Sequence, residues 1–275
     1  MADKKFNPLP GFGLTMGYTL LYLSVLVLIP LAGLFLRAFQ ISPTDFWHLI
    51  SNDRAVAAFK LTFGASFLAA SVNAVFGSLL AWVLVRYDFF GRRFIDAMVD
   101  FPFALPTAVA GLTLCSLFGP HGWLGRFLFP LGIQAVYTPL AVVIALTFVG
   151  LPFVVRTLQP VLQNMEQEVE EAAATLGASR LRTFVQILVP TLFPTVLTGF
   201  ALAFARAVGE YGSIAFVSGN LRLKTEIVPS LIVDRLQGNH DVAGATAIAA
   251  TLLMLSFAVL AFINWLESKV GSFNE

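Results

Sequence analysis

The sequence predicts an all-α integral membrane protein with six transmembrane helices. Of its 275 residues, 57% are hydrophobic and only 12% are charged, whereas roughly one quarter of the residues in soluble domains are charged. The mean hydropathy is +0.81. A spanning helix needs about 20 apolar residues, so the length leaves room for six spans and their loops. An even number of spans leaves both termini on the same side.

The predicted spans are separated by charged, proline-containing and glycine-containing segments. They cover residues 14–39, 59–85, 99–117, 139–155, 191–216 and 242–266. The first run follows Lys4 and Lys5, but it is too long for a signal-peptide core and lacks a small-residue cleavage site, so we expect it to remain as a span. We divide the chain into an N-terminal segment (1–58), a core (59–266) and a tail (267–275).

Composition and motifs argue against several classes of function. The net charge of +1 does not favour nucleic acid as a partner. The three histidines stand alone in predicted loops, so we expect no metal site. The segment 219–225 resembles a phosphate-binding loop, but Leu223 stands where that motif requires glycine, so we expect no ATP or other cofactor bound by this chain. No nucleophile–base or paired-carboxylate arrangement occurs at span depth, and we expect no enzymatic activity.

The longest polar interruption, residues 156–190, predicts a helix, a break and a second helix. Asn164 and Gln167 stand at capping positions, and acidic residues crowd the first turns, where the helix dipole favours them. Gly177 then ends the helix. One apolar side follows helical spacing. It comprises Met165, Val169, Ala172, Ala173 and Leu176.

Residues 171–190 resemble the EAA loop of ABC importer permeases. The matching positions are Glu171, Ala172, Ala173, Gly177, Ile187 and Pro190, with Val189 where leucine is usual. The resemblance implies the type I ABC importer permease fold and a coupling helix, with Glu171, Ala172, Ala173 and Gly177 docking on a cytoplasmic ATPase. It therefore implies that both termini are cytoplasmic. The alternative is an amphipathic helix on the membrane surface, but its acidic face would be repelled by anionic lipid.

The predicted fifth span carries an ion pair. Arg206 and Glu210 are four residues apart and share a helix face. Ionisable groups inside a membrane usually mark a pathway or a pair, so Arg206 either assists an anion or an external gate, with Glu210 holding it, or the two only fix helix packing. Small residues recur every four positions beside them, which would allow a second helix to approach closely. They are Ala201, Ala205, Gly209 and Ser213.

Two other features are candidates for the translocation path. Asn73 falls near the middle of the second span, where an amide needs a partner. Pro102 and Pro106 free backbone carbonyls at the start of the third span. They predict either a broken helix lining a path or an ordinary proline kink between packed helices.

A wider resemblance covers nearly the whole chain and points to the T-subunit family of bacterial sulfate/thiosulfate ABC permeases. It rests on residues 9–12, 100–114, 151–157, 205–213, 224–227 and 244–249. It implies a multi-pass protein of the bacterial plasma (inner) membrane, in a heterodimer with a homologous W-type permease. It also implies two ATPase subunits that bind ATP and Mg, and an external sulfate-binding protein. The alternatives are a molybdate/tungstate ABC permease and, from another class, an ion-coupled secondary anion transporter.

Overall fold

The computed structural model describes residues 11–165, 173 and 175–271. Within these ranges every regular element is a helix. The helices used below are Phe12–Phe39 (α1), Pro43–Ser51 (α2), Asp53–Arg86 (α3), Arg92–Val99 (α4), Phe101–Ala104 (α5), Thr107–Phe118 (α6), Pro139–Asn164 (α7), Val189–Val208 (α8), Gly212–Val217 (α9), Val228–Val233 (α10) and Val242–Gly271 (α11). Five of them, α1, α3, α7, α8 and α11, are long and apolar enough to cross a membrane.

The centre of the molecule is a three-helix bundle of α3, α7 and α8, which all pack against one another. Small residues make this close packing possible, because the buried face of α3 is largely alanine. A Cβ added at Gly77 would stand 3.1 Å from the Val154 side chain, and one at Gly199 would stand 3.1 Å from the Val154 Cα. Helices in membranes associate by such close backbone approach, because lipid supplies no hydrophobic drive between them.

The predicted third span is a composite of short helices. Leu105, between α5 and α6, is extended (φ −88°, ψ 134°), and Pro106 follows as the residue that caps α6. Proline disfavours helical backbone in the residue before it, which explains why the break falls here. Pro102 lies in the first turn of α5, where no intrahelical donor is needed. The predicted break in the helix is therefore confirmed and lies at Pro106, whereas its place beside a path stays a prediction.

The predicted fifth span also differs from the observed helix. Helical backbone begins at Arg180, passes through a π turn at Phe184–Leu188 and ends at Val208. The π turn lies just before Pro190, and a second one, Ser24–Leu28, lies just before Pro30 in α1. A proline cannot donate to the preceding turn, and a widened turn accommodates that missing bond. Our prediction had ended this span at residue 216.

The predicted fourth span is longer in the structure. Helix α7 continues through Arg156 and Pro160 to Asn164. A charged residue followed by proline indicated an end, but the Arg156 side chain is fully paired with neighbouring groups and does not require water, as described below.

Helix α1 lies at the side of the bundle. None of its residues is buried, and its second half contacts α11. Most of its apolar surface therefore faces away from the described part of the chain.

Candidate coupling segment and translocation site

The break in the coupling segment is well defined. Gly177 has φ +79°, and the Ala178 N–H donates to the Ala173 carbonyl over 3.0 Å. This six-to-one hydrogen bond around a left-handed glycine is the Schellman arrangement that ends a helix. The predicted role of Gly177 as the turn residue is confirmed. Glu171 and Ala172 lie outside the described residues.

Two residues of the predicted apolar side have different surroundings. Ala173 is buried, whereas the Leu176 side chain is 88% exposed, so the single apolar side that we predicted does not include both. After the turn, the Ser179 hydroxyl accepts a hydrogen bond from the Arg182 N–H (3.3 Å) and starts the next helix. Because helical backbone then continues to Val208, the second arm of the coupling segment and the fifth span form one element.

Arg206 and Glu210 form the predicted ion pair at the far end of α8. The Arg206 Nη1 lies 2.6 Å from the Glu210 Oε2. The other carboxylate oxygen of Glu210, Oε1, accepts hydrogen bonds from the N–H and the hydroxyl of Ser213, both at 2.9 Å. Glu210 is thus satisfied on both oxygens, with only 2% of its side chain exposed, whereas 34% of the Arg206 side chain is exposed.

The predicted strip of small residues is not continuous, because the helix ends at Val208 and the chain turns before α9. A Cβ at Gly209 would meet open space. The close approach lies instead between α6 and α9, where a Cβ at Gly111 would stand 2.3 Å from the Ser213 carbonyl oxygen and one at Gly212 would stand 2.1 Å from the Thr107 hydroxyl. The distal halves of the third and fifth spans are therefore held in direct backbone contact.

Asn73 is buried between α3 and α7. Its Nδ2 donates to the Thr147 carbonyl over 3.0 Å, and a Cβ at Gly150 would stand 2.6 Å from the same nitrogen. Its Oδ1 has no partner among the described residues. The amide has the partner on another helix that we predicted, and it lies inside the contact between α3 and α7.

A cluster around Arg156 was not predicted. Its guanidinium donates two bonds to the Asp100 carboxylate (2.8 and 2.6 Å) and one each to the carboxylate and the carbonyl oxygen of Asp96 (2.7 and 2.8 Å). A further bond goes to the Gln159 side chain at 2.5 Å, so all five donors are used. The Gln159 amide and, after it, the Arg156 guanidinium hold the pKa of Asp96 below its ordinary value against the opposing effect of burial.

This cluster ties α4 to α7 near the coupling segment. Asp96 lies in α4, Asp100 lies in the link that leads to the broken third span, and Arg156 lies eight residues before the end of α7. The charge of Arg156 was the only available signal for its ion pairs, since the two aspartates are distant in sequence.

A second unpredicted cluster lies at the opposite end of the bundle. Arg54, in the first turn of α3, binds Glu226 through two bonds of 2.7 and 2.6 Å and binds Asp234 at 2.5 Å. Glu226 is buried, with 2% of its side chain exposed. The cluster fixes the segment before α10 and the π turn after α10 to the start of α3.

Comparison with protein-family models gives a match at residues 73–272 to the binding-protein-dependent transport system inner membrane component family. The sulfate transport system permease protein CysT of Salmonella typhimurium is 46% identical over 271 residues, which cover 98% of each chain. CysT of Escherichia coli is 46% identical over 263 residues (96% of this chain and 95% of that protein). A probable sulfate transport permease of Nephroselmis olivacea is 49% identical over 255 residues (93% and 89%).

Solved structures show the same fold at low sequence identity. A chain of a bacterial ABC transporter that imports alginate superposes with a TM-score of 0.77 at 16% identity, covering 93% of this chain and 94% of that one. A chain of the MetNI methionine ABC transporter gives a TM-score of 0.54 at 16% identity, covering 84% and 97%. The helices of this chain are therefore arranged as in these ABC transporter chains. The chain is a multi-pass inner-membrane protein and belongs to the family of binding-protein-dependent transport system inner membrane components.

Proposed function

We propose that this chain is the T-type permease subunit of an ATP-driven importer of sulfate and thiosulfate. The observation that carries the proposal is the 46–49% identity to sulfate transport permeases over more than nine tenths of the chain. It forms one half of the translocation path, and a homologous W-type permease forms the other. An external sulfate-binding protein delivers the anion, and two ATPase subunits, which bind ATP and Mg, drive transport.

Coupling to the ATPase is assigned to Glu171, Ala172, Ala173 and Gly177. The geometry supports this assignment at its described end, where the left-handed Gly177 turns the chain from one helix into the element that runs to the outer end of the fifth span. Closure of the ATPase dimer would move the two coupling segments together, and the continuous helix after Ser179 would carry that motion along the span. An ATPase on the cytoplasmic side would then require both termini to lie in the cytoplasm.

The anion path is assigned to the breaks in the third and fifth spans. Arg206 carries the exposed positive charge there, Glu210 holds it, and Pro106 sets the break in the third span. Pro102 and Asn73 remain secondary candidates, since Pro102 lies in a helical first turn and Asn73 inside a helix contact.

The test uses a strain that lacks other sulfate importers and carries this chain with its partner subunits. Uptake of labelled sulfate should depend on this chain and should compete with thiosulfate. Gly177→Val cannot adopt φ +79° without strain, so it should reach the membrane but lose the ATPase on purification. Gly177→Asn is the matched control, because asparagine tolerates this conformation.

Glu171→Lys should behave like Gly177→Val, with normal abundance and lost uptake. If both variants take up sulfate at the wild-type rate, the coupling assignment is wrong. If the wild type takes up molybdate and not sulfate, the substrate assignment is wrong while the permease assignment stands.

A further inference from the structure

The two halves of the broken third span are held by different neighbours. The inner half, nearer to the coupling segment, consists of α4 and α5 and packs on α7. Val99 lies in the same buried cluster as Val155. The rings of Phe103 and Phe153 meet edge to face, with their centres 5.2 Å apart. The outer half, α6, is held to α9 by the close backbone contact described above.

The backbone between the two halves is able to bend. The Leu105 N–H donates to the Phe101 carbonyl over 3.2 Å and closes the last turn of the inner half. A new series of hydrogen bonds begins with the Ala110 N–H, which donates to the Pro106 carbonyl over 3.0 Å. Because Pro106 has no N–H and Leu105 is extended, rotation about the Leu105 ψ angle breaks neither series. The break therefore has the properties of a hinge.

Helix α7 divides into two arms at Pro152. Proline removes the hydrogen bond to the carbonyl four residues earlier and is a usual place for a helix to bend. The buried residues before Pro152 pack in one cluster with residues of α6 and α9, whereas those after it pack in a second cluster with Val99. The first set is Ala141, Val142, Ala145 and Leu146, and the second is Val154, Val155, Leu158 and Leu162. The inner arm of α7 and the inner half of the third span thus share one core.

Arg156 ties the inner arm of α7 to the third span. It lies four residues after Pro152 and about 12 Å along the helix from the end of α7 at Asn164. Its bonds to Asp96 and its two bonds to the Asp100 carboxylate all reach the inner half of the third span. A guanidinium that binds a carboxylate through two parallel bonds fixes orientation as well as distance. A movement of the inner arm is therefore passed to α4 and α5.

We propose that Arg156 is a positioning residue that transmits motion of the coupling segment to the third span. The inner arm of α7, α4 and α5 move as one unit. The third span bends at Leu105 and Pro106, while α6 stays with α9. This inference rests on the proposed function, because it takes the coupling segment, which follows α7, as the place where the ATPase acts.

The first experiment measures coupling in the transporter assembled with its ATPase subunits and binding protein. Arg156→Gln should keep the ATPase on purification and keep basal ATP hydrolysis. The amount of sulfate imported per ATP hydrolysed should fall by about fivefold, the size of effect expected for a residue that carries coupling between two sites. A purely structural role would lower the abundance of the transporter and leave this ratio unchanged.

Two further variants calibrate that ratio. Arg156→Lys keeps the charge but loses the two parallel bonds, so its ratio should lie between those of Arg156→Gln and the wild type. Arg92→Gln is the matched control, because the ion pair of Arg92 is with Asp88, four residues earlier in the same segment, and does not reach α7. Its ratio should equal that of the wild type.

The second experiment replaces the ionic tie by a covalent one. In a Cys115→Ala background, Phe103→Cys and Phe153→Cys place two thiols across the contact between α5 and α7, and a short bifunctional thiol reagent joins them. Cross-linking should leave uptake by this protein unchanged, because both positions move together. When Arg156→Gln is added, cross-linking should restore most of the lost import per ATP.

The results that would overturn the role of Arg156 are specific. They are an unchanged import per ATP in Arg156→Gln, a cross-link that blocks uptake, and a cross-link that fails to restore the ratio in Arg156→Gln. The proposed function is judged separately, by sulfate uptake in the wild type and by ATPase binding in Gly177→Val.

Discussion

Replacing Arg206 and Glu210 singly and together distinguishes a transport role from a packing role. The two side chains are not equivalent, because Glu210 is 2% exposed and Arg206 is 34% exposed. Removing one member of a buried pair costs about 3–5 kcal/mol. In Arg206→Gln the buried carboxylate keeps only the two Ser213 donors, and solvent screening at the guanidinium, whose side chain is 34% exposed, reduces the loss to about 2–3 kcal/mol.

Glu210→Gln should cost less. The glutamine oxygen can still accept from Ser213, and water reaches the freed guanidinium. The double variant Arg206→Gln/Glu210→Gln removes both charges and should regain most of the lost stability, with a coupling energy of about 1–2 kcal/mol. The measurements are the thermal midpoint of the purified transporter and its abundance in the membrane.

Sulfate uptake then decides the role. We expect the double variant to be abundant and stable but to transport poorly, because it lacks the positive charge that Arg206 presents to the anion. Arg206→Lys keeps the charge and is the matched control, which should retain more uptake than Arg206→Gln. A double variant that restores uptake lost in both single variants would show that the pair is structural, and the reasoning about the anion would fail.

Three further predictions follow from the packing and the topology. Gly111→Ala should lower the stability by about 1–3 kcal/mol, measured as a lower thermal midpoint, because its Cβ would meet backbone at 2.3 Å. Gly64→Ala, whose Cβ would meet open space, should not lower the midpoint, and equal midpoints for the two variants would contradict the close α6–α9 contact. In a cysteine-free background, an impermeant thiol reagent should label Asn239→Cys from outside and Ser179→Cys only after the cytoplasmic side is opened; labelling of both from one side would refute the orientation. Arg156→Gln should lower the stability by about 1–2 kcal/mol, measured as a lower thermal midpoint, because two carboxylates that are themselves 43% and 50% exposed lose their partner; an unchanged midpoint would show that water replaces the cluster.

Much of the fold was predictable because the bilayer imposes a strong pattern. Long apolar runs gave α1, α3, α7, α8 and α11 with boundaries that were close at their apolar ends. Boundaries at charged residues were less accurate, since a charge signals a helix end only when it needs water. Arg156 does not, because all five of its donors have protein acceptors, and α7 continues past it.

Backbone breaks were predictable only where the residue itself causes them. Pro106 and Gly177 forbid or permit particular conformations, so their sequence positions located the turns. The end of α8 at Val208 coincides with Gly209, but this glycine has φ −89° and does not adopt the left-handed conformation of a glycine helix cap. That break depends on tertiary packing, in which Gly111 and Gly212 bring α6 and α9 into backbone contact, and a single sequence does not show which glycines face each other.

The charged residues illustrate the same limit most clearly. Arg206 and Glu210 were paired correctly from their spacing of four residues, and the contact forms although α8 ends at Val208 and Glu210 lies just after the turn that follows it. The Arg54–Glu226 contact joins residues 172 positions apart, so its partner could not be read from spacing. Sequence alone therefore shows that a charge inside the membrane needs a partner. Whether that partner is a protein group or a passing anion depends on contacts that form only in the folded chain. This is why Arg206, whose exposed guanidinium has Glu210 as its only ion-pair partner within the described ranges, is the more promising of these arginines for a role in transport.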